Sequence, residues 1–92
     1  MTHDEDQIIT RLEGLAIDAG DAADHAARVH LWAEAGAAHR RQADHLEEAA
    51  DLYRALGHLD RAAHLLSAAG FARAAATACD GEAAAAAQVA PF

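Results

Sequence analysis

Residues 46–70 read LEEAADLYRALGHLDRAAHLLSAAG, and this stretch decides the fold. Leu46, Ala49, Ala50, Tyr53 and Leu56 recur at three- and four-residue intervals, the period of one face of an α-helix. The pattern stops at Gly57 and restarts with Leu59, Ala62, Ala63, Leu66 and Ala69. A glycine just past the last apolar residue suits a left-handed helix cap, where a Cβ would be penalised. Two helices joined by so short a connection run antiparallel. The stretch therefore predicts a helical hairpin.

The same punctuation continues in both directions. Gly20, Gly36, Gly70 and Gly81 also follow runs with helical periodicity. Read as helix stops, they predict helices over 5–19, 21–35, 37–56, 58–69 and 71–80, with a short one over 82–89. Ile8, Ile9, Leu12, Leu15, Ala16 and Ala19 line one side of the first, and Ala22, Ala26, Val29 and Trp32 one side of the second. Asp21 suits the N-cap of the second helix, with Asp24 in its first turn. Only Gly14 falls inside a helix, at a cost of about 1 kcal/mol. Arg40–Asp44 and Asp51–Arg54 stand at helical spacing and mark solvated faces.

Composition agrees with the pattern. The 92 residues include 29 alanines but only 19 large apolar side chains, counting Met1, Trp32, Tyr53, Phe71 and Phe92. Alanine is the strongest helix former, and the β-branched residues that favour strands are scarce. A chain this short buries roughly 60–65 % of its unfolded surface, and each alanine adds one methyl to that. The expectation is an all-α domain over 1–81 with closely spaced helices and an Ala-rich tail over 82–92, where Pro91 ends any helix. A thick core or a deep catalytic cavity is not expected.

Charge narrows the function. Seven arginines and no lysine face fifteen acids, for a formal charge of −8. Nucleic acid is not an expected partner, because its binding rests on cations that displace counterions. An anionic membrane surface is disfavoured on the same ground, and no run has the roughly 18 apolar residues of a membrane span. Met-Thr-His-Asp-Glu-Asp does not read as a signal peptide. Cys79 stands alone and forms no internal disulfide, so a reducing cytoplasm is the expected setting. The absence of lysine beside abundant Ala and Arg points to a high-GC bacterial coding bias.

Over residues 46–69 the chain resembles a tetratricopeptide repeat, a helix-turn-helix unit of about 34 residues. Ala50 falls where the family packs a small residue between paired helices, Tyr53 at its ring position, and Gly57 at the turn. Leu59, Ala62, Leu66 and Ala69 match positions of the second helix. Leu46 replaces the usual tryptophan, Leu66 an aromatic, and Ala74 the closing proline. The resemblance implies a solenoid fragment of five to six helices, with a four-helix bundle as the alternative. It also implies a groove that binds a protein or peptide. On this register the groove row is Asp44, Glu47, Asp51 and Arg54, supported by Trp32 and Tyr53. That row is mostly acidic, so a basic partner is expected. Solenoids need about three repeats, which points to a homodimer or to docking on a larger partner.

Chemistry finds less support. The seven histidines raise the question of a metal, but His25–His30, His39–His45 and His58–His64 are spaced five, six and six apart, off a common face. No metal or cofactor is expected from spacing on one helix. A rival reading is a small bundle that binds a metal or small molecule between helices, through residues such as His30, Glu34 and His58. Full protonation of the histidines would move the charge from −8 to −1, a route to pH-dependent association. Ser67 and Cys79 have no base placed nearby in sequence, and the single glycines form no phosphate-cradling loop. Cys79 and Trp32 read as core residues. A further reading treats the body as a platform that presents residues 79–92 to another protein.

Overall fold

Alanine-rich runs with almost no β-branched residues leave the backbone one economical way to satisfy its N–H and C=O groups, the α-helix. The computed structural model describes residues 3–88, and among them it holds three helices and no strand. They are α1 (His3–Arg28), α2 (Trp32–Ala55) and α3 (Leu59–Gln88). The all-α class holds; the five to six helices do not, nor do the four of a bundle. Gly20, Gly36, Gly70 and Gly81 lie inside helices, and Asp21 is an interior residue of α1 rather than an N-cap. An interior glycine costs only about 1 kcal/mol, less than breaking a helix and stranding its terminal backbone groups. Residues 82–88 are the last turns of α3, and 89–92 lie outside the described residues.

Two turns end helices, and they are built alike. At Gly57 φ is +84°, His58 N–H donates to the Tyr53 carbonyl at 2.9 Å, and Gly57 N–H donates to that of Arg54 at 3.0 Å. At the end of α1, His30 takes the left-handed conformation at φ 62°. Leu31 N–H donates to the Ala26 carbonyl at 2.8 Å and His30 N–H to that of Ala27 at 3.1 Å. This paired bonding satisfies helix-terminal carbonyls in both places. A histidine does at one turn what the glycine does at the other.

The helices run up, down and up, with α2 packed against both neighbours. Glu13 of α1 is level with Tyr53 near the end of α2, so the first turns of α1 run on past the α2–α3 connection. The result is a rod 60 × 18 × 13 Å, with a radius of gyration of 15.7 Å. A compact chain of this length would measure about 12 Å.

The seams are lined by small residues. Ala16, Ala43, Ala49, Ala50, Ala62, Ala69 and Ala72 form the main core cluster with Leu46 and Leu65. A second cluster joins Ala26, Ala35 and Cys79, with Trp32 half-buried against it. Gly36 lies so close to α3 that an added Cβ would stand 3.0 Å from Asp80 Oδ1 and 3.4 Å from the Ala76 carbonyl. Methyl-sized side chains let helix axes approach to the short end of 8–10 Å. That closeness leaves no room for larger ones. Ile8, Leu15 and Val29, expected inside, are exposed, and so are Ala22 and the Leu59 and Leu66 of the hairpin, where Leu65 turns inward instead.

Candidate interaction surface

The row Asp44, Glu47, Asp51 and Arg54 lies along one flank of α2, as its three- and four-residue spacing requires. The structure adds a residue that periodicity did not reveal. Arg73 of α3 reaches across the seam, 2.9 Å from Asp44 Oδ1 and in contact with Glu47. Its guanidinium is held above its ordinary pKa by the bonds to Glu47 and then Asp44. Asp51 stands 3.9 Å from Arg54 along the helix. Farther along the same edge, Arg40 pairs with Asp80 of α3 rather than with Asp44. The acidic row is therefore partly neutralised within the chain.

Beside it runs an apolar line. Leu59, Ala63, Leu66 and Gly70 lead along α3 to Arg73 at intervals of three and four. Leu59 is 63 % exposed and Leu66 36 %. The contact of Arg73 with Asp44 and Glu47 sets this line against the α2 row. Carboxylates and solvent-facing leucines thus share one edge of the rod.

Trp32 and Tyr53 do not join it. They sit near opposite ends of α2, 21 residues and about 32 Å apart. Trp32 packs edge-on to His30, ring centroids 5.5 Å apart, above an open depression of 270 Å³ shared with Leu31, Ala83 and Ala86. Tyr53 is a fastening between helices: its hydroxyl donates to Glu13, and the Arg61 guanidinium lies 5.7 Å from its ring centroid. Burial, and next the Glu13 carboxylate, raise its pKa above 10.0.

Other residues fall as follows. His30 and His58 occupy the two turns, at opposite ends of α2, so the cross-helix set His30, Glu34 and His58 is not assembled. Among the described residues, no group of three His, Cys, Asp or Glu is placed to hold a metal ion. No helix of the described residues is long and apolar enough to cross a membrane. Cys79 is buried. Phe71, read only as a large apolar residue, is 78 % exposed over a shallow depression lined by His39, Gln42 and Ala75. Exposure at that position follows from the helix–helix register, which composition does not encode.

No family model matches the chain, and no curated protein or solved structure matches it either.

Proposed function

We propose that the protein is a non-catalytic, cytoplasmic helical adaptor, similar in its hairpin to a tetratricopeptide unit, which binds a protein or peptide of basic character along the α2–α3 edge. The observation that carries this reading is the pairing of solvent-facing Leu59 and Leu66 with the carboxylates of Asp44, Glu47 and Asp51 on one edge. The leucines supply area to bury, and the carboxylates steer and orient a cationic partner. The net charge of −8 adds long-range attraction of the same sign. Arg54 sets the register by pairing with an acid on the partner, while Arg73 stays engaged with Asp44 and Glu47 and moderates the attraction.

Affinity capture from the native cell tests this, with charge reversals Glu47→Arg and Asp51→Arg made together. The reading expects a cationic partner that is lost on reversal and whose capture weakens with salt. A partner held unchanged by the reversed protein contradicts it. Elemental analysis of the purified protein separates the rival metal-binding reading, which alone requires stoichiometric metal.

A further inference from the structure

The outer flank of α1 carries two parallel lines at seven-residue spacing. One is apolar: Ile8, Leu15 and Ala22, continued just past the helix end by Val29, the three large ones 48 %, 39 % and 52 % exposed. Beside it stand Asp4, Arg11, Asp18 and His25, all exposed. None of these four enters an ion pair among the described residues. An open depression shared by Asp4, Ile8 and Arg11 shows that the charged line borders the apolar one. On the other side of the apolar line, Ala19 and Ala26 are buried, so that side of the line is closed to a partner.

We infer that this flank is the two-fold interface of a homodimer, in which α1 packs antiparallel on α1 of a second copy about a centre at Leu15. The signs of the charged line select both the partner and the register. Centred there, Arg11 faces Asp18 of the second copy and Asp18 faces its Arg11, while Asp4 meets the imidazole of His25 at both ends. Leu15 sits over Leu15 of the second copy at the centre, and on either side of it Ile8 sits over Ala22, a large side chain against a small one. Sliding by half a heptad-pair, to a centre between Leu15 and Ala22, would set Asp18 against Asp18 and Arg11 against His25. A parallel pairing would turn each charged line toward the side of the second copy that α2 already covers. A surface whose charges complement themselves under a two-fold rotation is what an isologous contact requires. This interface is independent of the α2–α3 edge, which it leaves open.

Sedimentation equilibrium of the full chain at physiological salt tests the proposal. The wild type should rise with concentration from 9.6 kDa toward twice that mass. Arg11→Asp and Asp18→Arg should each weaken the dimer about tenfold or more, since each substitution puts like charges together at two symmetric places. The double variant R11D/D18R should restore it, and Leu15→Glu should abolish it. Circular dichroism should show unchanged helix content throughout, because all three positions face solvent. A species of 9.6 kDa at every concentration overturns the proposal. So does a dimer that ignores Leu15→Glu, or a double variant no better than the single ones.

Discussion

The Tyr53 hydroxyl donates a 2.8 Å hydrogen bond to Oε1 of Glu13, forty residues earlier in the chain. Arg61 of α3 closes the arrangement, 3.6 Å from Glu13 Oε2 and with its guanidinium over the tyrosine ring. One ring at the end of α2 thus ties all three helices. In a rod whose seams hold mostly methyl groups, a contact of this size fixes the relative height of the helices, which small side chains alone leave free to slide.

Tyr53→Phe should therefore destabilise the fold by about 1 kcal/mol, the usual worth of one partly exposed hydrogen bond. It should also change the alkaline limb of stability. The folded-state pKa of Tyr53 is raised above 10.0, so its contribution is complete below pH 10 and is lost as pH rises through the raised value. Urea titrations between pH 8 and pH 11 should show this loss in the wild type and not in the variant. The chain has no second tyrosine and no lysine to mask it.

The glycines should separate into distinct groups. An added Cβ at Gly14 or Gly70 meets nothing within 4 Å, so alanine there should stabilise by roughly 0.5–1 kcal/mol. At Gly36 the approach of α3 should cancel that gain. At Gly57, with φ at +84°, alanine should cost about 1–2 kcal/mol. Denaturation midpoints of the four variants check the order, and Gly57→Ala as stable as Gly14→Ala would refute the turn.

Removing Arg73 should bare the acidic row. Arg73→Ala frees the Asp44 and Glu47 carboxylates that it now engages. A synthetic peptide with lysines flanking one leucine-rich helical face should then bind more tightly and with a steeper salt dependence. Fluorescence anisotropy at two salt concentrations measures both, and equal or weaker binding counts against the α2–α3 edge as the site.

The hairpin about Gly57 was legible because periodicity and a glycine cap agree there. The end of α1 was not, since His30 takes the left-handed position with nothing in its residue type to announce it. Gly20, Gly36, Gly70 and Gly81 misled in the opposite direction: a glycine permits a stop, but strong helix formers on both sides carry the helix through. The row Asp44, Glu47, Asp51 and Arg54 could be read from spacing within one helix. Arg73 could not, because its reach depends on how α3 slides along α2. The outward turn of Ile8, Leu15, Leu59 and Leu66 was missed for a related reason. Apolar periodicity finds a face, and in an alanine-rich helix the methyl groups claim the tightest part of it.

Small side chains hold most of the seams, and several large apolar ones, Leu66 among them, are left facing outward. The direct measurement is unfolding free energy by urea for Ala50→Leu and Leu66→Ala in the same buffer. Ala50 is wholly buried between helices, so added bulk should force them apart at a cost of about 1–3 kcal/mol. Leu66→Ala should cost less, about 1 kcal/mol, because about a third of that residue's surface already meets water. The reverse order, with Leu66→Ala the more damaging change, would contradict the account.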